Sequence, residues 1–185
     1  SGFIGKRLSC NLAQRHRVIC MSRKNPDLNL PWIKGTFTSF EDLAQIDRYQ
    51  IDTLVHLGAV TGGMTERDCF LVNVEGTRCL LKYLITRGCR KFVLASSIAA
   101  VGFQDPLFRP TQLPIKDEHI CLDRNGYGMS KYLMEEISRY YYRQHQQIDI
   151  INLRLSSVCA DENLPPLKLV SVPILCLLYT SDAAD

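Results

Sequence analysis

Tyr127 and Lys131 stand four residues apart in the run Tyr127-Gly-Met-Ser-Lys131. On a helix that spacing puts a phenol and an ammonium on one face. A neighbouring cation lowers a phenol's pKa from about 10 and makes it a usable acid or base near neutrality. The same five residues also describe an exposed lysine beside a packed tyrosine. Ser96 and Ser97 close the apolar run Lys91-Phe-Val-Leu-Ala95. A serine at the carboxyl tip of a parallel strand sits where such sheets bind ligands. There the Ser97 hydroxyl would hold a reacting hydroxyl or carbonyl oxygen. A strand-ending cap is its plainer use. Gly2, Phe3, Ile4 and Gly5 open a helical run. Glycine at such a turn lets backbone N–H groups approach a pyrophosphate, whose charge the helix N-terminus favours. A second glycine three residues on allows a helix to pack closely on a strand.

These groups need elements that bring them to one edge of a sheet. Phe3, Ile4, Leu8 and Leu12 share a face and predict a helix over 3–14. Short apolar runs predict strands at 17–21, 32–35, 53–57, 91–95 and 148–153. Further helices are expected over 40–49, with Ser39 as N-cap, over 66–87 and over 127–145. A polar loop with several prolines fills 103–125. Strands that alternate with helices, and are apolar throughout, imply an α/β fold with a parallel sheet covered on both faces.

The chain has 185 residues, 46% hydrophobic and 22% charged, enough for one globular domain or one plus the start of a second. A formal net charge of +3 gives no reason to expect nucleic acid or an anionic membrane as partner. No apolar run reaches the ~18 residues of a membrane span. The opening residues lack the charged-then-apolar pattern of a secretory signal. The eight cysteines form neither a CxxC pair nor a cluster with zinc-ligand spacing. Free thiols in a reducing cytoplasm, and no metal site, are the expectation. Residues 176–185 resemble a translated transposon-type sequencing adapter and stand outside the fold reading.

In order along the chain come Gly2 and Gly5, Val55-His-Leu-Gly-Ala59, Asn73-Val-Glu-Gly-Thr77, Ser96-Ser-Ile-Ala-Ala-Val-Gly102, Tyr127-x-x-x-Lys131 and Leu153-Arg-Leu-Ser-Ser-Val158. This combination, covering about residues 1–160, resembles the extended short-chain dehydrogenase/reductase superfamily. More narrowly, it is similar to the NAD(P)-dependent sugar epimerase/dehydratase group. The resemblance implies a Rossmann-like, doubly wound parallel sheet of strand order 3-2-1-4-5-6. It implies an NAD(P)-binding domain over 1–166, with the substrate-binding region starting at 167–175. It also implies that the family's first strand and first fingerprint glycine are missing, so the chain as written would fold poorly and bind cofactor weakly. By the same resemblance Tyr127 is the catalytic acid/base, and Lys131 holds the nicotinamide ribose and depresses the phenol's pKa. Ser97 binds the reacting oxygen. Gly2, Phe3, Ile4 and Gly5 line the pyrophosphate site, and Gly58 and Ala59 face the cofactor near its adenosine and ribose. Asn73 braces the sheet and helix.

Departures from the group's pattern refine the expectation. Met21-Ser-Arg-Lys24 offers no carboxylate for a ribose diol and two cations, which suit a 2′-phosphate. That favours NADP over NAD, with Arg23 as its contact. Thr36 stands where the group often has an Asp near the adenine. Ile98 and Ala99 follow Ser97, with no acid to eliminate water. This points away from a 4,6-dehydratase and toward an epimerase or simple oxidoreductase acting on a sugar nucleotide or a related hydroxyl or carbonyl compound. The alternative is a non-catalytic NAD(P)-binding regulatory module on the same fold. Relatives of that kind usually lack the Tyr and Lys present here. Relatives often form homodimers through helices matching 66–87 and 127–145, where Tyr140-Tyr-Tyr142 can serve the interface or the core.

Overall fold

The computed structural model describes residues 2–61, 63–156 and 158. The expected boundary at 166 and the adapter-like end lie outside them. The order is α1 (Phe3–Leu12), β1 (Cys20–Ser22), β2 (Trp32–Lys34), α2 (Phe40–Ala44), β3 (Thr53–His56) and α3 (Glu66–Asp68), followed by a π-helical stretch (Cys69–Gly76). Then come α4 (Thr77–Ile85), β4 (Lys91–Ser97), α5 (Gly126–Gln144) and β5 (Asp149–Leu155). Every strand pairing is parallel. The strands form two sheets, β1 with β2, and β3-β4-β5 with β4 in the middle. These are the two blocks that the order 3-2-1-4-5-6 leaves without its first strand.

One apolar core serves both sheets. It joins Ile33 of β2 and Leu43 of α2 to Phe92 and Leu94 of β4, Leu81 and Leu84 of α4, and Met134 and Tyr141 of α5. Each such side chain stabilises the fold by about 1.5–3 kcal/mol through its burial. Gly58 and Gly76 show how tightly the parts meet. A Cβ on Gly58 would lie 2.7 Å from the Phe37 ring, and one on Gly76 2.7 Å from Thr38.

The predicted elements are present, with instructive shifts. Ser39 caps α2, its hydroxyl accepting the Asp42 N–H at 3.2 Å, and the helix tightens to a 3₁₀ turn over Gln45–Arg48. The strand expected at 17–21 is paired only over Cys20–Ser22, because its partner β2 is three residues long. β4 runs to Ser97 rather than stopping at Ala95, because β5 continues opposite it, with Ser96 against Arg154 and Ser97 against Leu155. The helix expected over 66–87 is widened in its middle into the π-helical stretch. Tyr141 is buried, whereas Tyr140 and Tyr142 are each 47% exposed. Among the described residues no helix is long and apolar enough to cross a membrane.

Candidate active site

Because the strands are parallel, their carboxyl ends share one edge, and the chemistry-bearing residues collect there. Ser97 is the last residue of β4 and is buried. Its hydroxyl accepts the Ala99 N–H at 3.2 Å and caps the 3₁₀ turn Ile98–Val101. That turn ends at Gly102 with φ +107°, where a Cβ would lie 2.9 Å from the Asp123 nitrogen. Only glycine fits both demands. The turn brings the long loop back over the strand tip.

Helix α5 starts beside that tip. Asn125 caps it, its side-chain oxygen accepting the N–H groups of Tyr127 (3.0 Å) and Gly128 (3.1 Å). Tyr127 and Lys131 therefore face β4 on successive turns. The Lys131 ammonium, 3% exposed, donates to the Ala95 carbonyl at 2.7 Å and lies 6.0 Å from the centre of the Tyr127 ring. Burial pushes its pKa down to about 8, against the opposing pull of Glu135. The phenol of Tyr127 lies above its ordinary value: burial raises it, the neighbouring Ser97 hydroxyl pulls the other way, and Cys69 adds to the rise. The expected lowering of the phenol by Lys131 is thus not found. The ammonium is turned onto Ala95, and burial of the ring dominates.

Asn73 ties this region together. Its side chain accepts the Val60 N–H and donates to the Val60 carbonyl, both at 2.9 Å, and donates to the Ser130 hydroxyl at 3.0 Å. Ser130 in turn donates to the Tyr127 carbonyl at 2.7 Å. The loop after β3 and the first turn of α5 are therefore held by one carboxamide, the bracing role expected for it. His56, buried at the end of β3, pairs through Nε2 with the Thr77 hydroxyl at 3.1 Å. Burial, reinforced by Lys131, drives its pKa to about 3, so the imidazole is neutral and adds no charge beside the lysine.

The expected cofactor residues occupy the loops at the same edge. Gly2 is the N-cap of α1, with an extended backbone and no side-chain cap among the described residues. A Cβ on Gly5 would meet only Leu57, at an ordinary 3.8 Å, so the close packing expected of this glycine is not needed here. Phe3 is exposed and Ile4 half-buried in the first turn. Arg23 is exposed just after β1. Thr36, after β2, donates its N–H to Asp42 at 2.8 Å. Gly58 and Ala59 follow β3, and the Phe37 contact gives Gly58 a packing reason for being glycine.

A cleft of about 300 Å³ adjoins Tyr127, lined by Met64, Glu66, Cys69, Gln104 and Asn125 among others. A larger depression of about 660 Å³, among Ile46, Tyr49, Leu84 and Cys89, lies at the opposite, amino-terminal edge of the strands, remote from these groups. Sequence reasoning passed over Glu135, which lies buried beneath Lys131 and bonds to Ser96 and Arg154. Its signal was its place four residues after Lys131 and eight after Tyr127, on the same helical face.

Known proteins resemble this chain in sequence and in fold. The chain is 35% identical over 82 residues to UDP-glucose 4-epimerase GEPI48 of Cyamopsis tetragonoloba, covering 44% of this chain and 22% of that protein. It is 26% identical over 175 residues to dTDP-4-dehydro-6-deoxyglucose reductase of Escherichia coli, covering 85% of this chain and 53% of the other. Among solved structures, a short-chain dehydrogenase/reductase superfamily protein from Agrobacterium tumefaciens with bound NAD superposes with a TM-score of 0.72 at 28% identity. That superposition covers 83% of this chain and 46% of the other. The chain spans about half the length of that structure and at most about half of these two curated relatives. Residues 1–171 match the sequence profile of the NAD dependent epimerase/dehydratase family, and the chain belongs to that family.

Proposed function

We propose that the protein carrying this chain is an NAD(P)-dependent epimerase or oxidoreductase acting on a sugar nucleotide or a related hydroxyl or carbonyl compound. The observation that carries this reading is the meeting of three groups at one strand tip. Lys131 is bonded to the Ala95 carbonyl at 2.7 Å, Ser97 lies two residues further along the strand, and Tyr127 stands one helical turn before the lysine, within reach of the Ser97 hydroxyl. The residues present fit a dinucleotide. Gly2 caps α1 in an extended conformation, and Arg23, Thr36, Gly58 and Ala59 follow β1, β2 and β3 at their carboxyl ends. A helix N-terminus of this kind suits a pyrophosphate.

In this reading Gly2, Phe3, Ile4 and Gly5 hold the pyrophosphate and Lys131 holds the ribose beside the nicotinamide. The cofactor, when bound, supplies the hydride acceptor and donor. Ser97 holds the reacting oxygen of the substrate. Tyr127 takes the proton from the substrate hydroxyl as the carbon is oxidised and returns it when the carbonyl is reduced. Burial of the ring favours the protonated phenol, the form that gives its proton to a carbonyl oxygen as the carbon is reduced. The exposed Arg23, followed by Lys24, favours NADP by offering cations to a 2′-phosphate. The relatives named as UDP-glucose 4-epimerase and dTDP-4-dehydro-6-deoxyglucose reductase support a sugar-nucleotide substrate.

Tyr127→Phe in the full-length protein tests this. Turnover of a sugar nucleotide is expected to fall by at least about 10²-fold, the usual scale of a lost general acid–base group. Binding of NAD(P) is expected to persist, tighter for NADP than for NAD. Unchanged turnover in a folded variant removes the catalytic assignment and leaves the regulatory module. Equal or tighter NAD binding removes the NADP preference.

A further inference from the structure

We propose that Glu135 is a positioning residue for the reaction centre: through a buried network with Ser96 and Arg154 it fixes the strand tip that carries Ser97 and places a negative charge one helical turn from Lys131. The proposal rests on the catalytic reading above and adds a residue to it. Glu135 is 2% exposed. One of its oxygens accepts the Ser96 hydroxyl at 2.5 Å and Arg154 Nε at 3.0 Å, and the other accepts Arg154 Nη2 at 2.7 Å. Arg154 Nη2 also donates to the Asp117 carbonyl at 2.9 Å. A single carboxylate thus joins α5, the tip of β4, β5 and the loop that covers the site.

The arrangement is costly as a mere fastener. Taking a carboxylate and a guanidinium out of water offsets much of their attraction, and an apolar pair of equal volume would hold the elements as well. An apolar pair would not supply a negative charge one turn from Lys131. That charge matters because, among the described residues, Glu135 is the acidic side chain that bears on the lysine. Tyr127 on α5 is a neutral phenol, and Ser96 and Ser97 on β4 are hydroxyls. His56 on β3 is held neutral with a pKa of about 3. Burial drives Lys131 toward its uncharged form, and Glu135 is the group that opposes it. Around Glu135 itself, Arg154 lies on β5, and Arg139 approaches at 3.9 Å from the next turn of α5. Asp117 and Glu118 act on Arg154 from the loop.

The test follows the titration of Lys131 by the Cε chemical shift in selectively labelled full-length protein, together with the pH profile of kcat/KM. Glu135→Gln keeps the shape and removes the charge. The Lys131 midpoint is expected to fall by about one pH unit, tenfold in proton affinity. The alkaline limb of kcat/KM is expected to fall with it. Because this variant strands the Arg154 charge in the interior, Glu135→Gln is also combined with Arg154→Met, a neutral pair that restores a foldable core. The double variant is expected to melt cooperatively and to show a smaller lowering of the midpoint, because a cation leaves together with the nearer carboxylate. Glu136→Gln, on the half-buried neighbour paired with Arg139, is expected to leave the midpoint where it was. A folded double variant whose Lys131 titrates as in the parent overturns the proposal, as does a lowered midpoint with an unmoved alkaline limb. The titration needs no turnover, so its failure is distinguishable from failure of the catalytic reading, which Tyr127→Phe decides.

Discussion

His56 couples the folded state to pH. Its imidazole is buried between the Thr77 hydroxyl and the edge of the Phe37 ring, whose centre is 4.6 Å away, and its pKa lies at about 3. In the unfolded chain it titrates near 6.5. Between those values the unfolded chain binds a proton that the folded chain refuses. Stability therefore rises with pH across that window and drains away as pH falls below about 6.5. Each unit costs up to about 1.4 kcal/mol. Urea midpoints at pH 6.5 and 5 are expected to differ less for His56→Gln than for the parent, and equal differences would remove this group from the account. Residue identity made the histidine visible, but its state was not legible, because desolvation depends on what lies around the ring. Tyr127 teaches the same lesson. Its spacing from Lys131 predicted a shared face correctly, while the predicted lowering of the phenol failed once burial and the Ala95 carbonyl entered.

The π-helical stretch is where an element's shape departs most from its sequence pattern. Apolar residues over 66–87 recur at a spacing that any helix satisfies, so periodicity does not distinguish widened turns from ordinary ones. The widening accompanies two long-range contacts: the Asn73 carboxamide reaching Val60 and Ser130, and Gly76 receiving Phe37 and Thr38. Such bulges recur at functional sites. Asn73→Ala is expected to destabilise the fold by about 2–3 kcal/mol, since it removes bonds and strands partly buried backbone groups of Val60. Amide exchange at Val60 and Tyr127 should quicken in the same variant. Full protection at both positions would show that the brace is dispensable. The neighbouring π-helical stretch and α5 each keep a large apolar group in solvent, Leu71 at 50% and Tyr140 at 47% exposure.

Those exposed groups bear on assembly. A homodimer through the helices matching 66–87 and 127–145 would cover Leu71 and Tyr140, exposed apolar groups that these helices carry. Light scattering is expected to give a dimer for the parent. It is expected to give a cooperatively melting monomer for Leu71→Glu combined with Tyr140→Glu, and a dimer that survives both changes would place the interface elsewhere. Across the molecule, local pattern alone determined the alternation of strands and helices, the Ser39 cap, the parallel sense of the strands and the grouping of Ser97, Tyr127 and Lys131 at one edge. All of these follow from short-range periodicity and from the chirality of βαβ connections. Only the tertiary structure decided that β4 extends to Ser97 because β5 continues beside it, and that the reaction centre rests on the buried Glu135 and Arg154. Strand pairing, burial and the charge state of interior groups are properties of neighbours far apart in the chain. No local window of residues contains them.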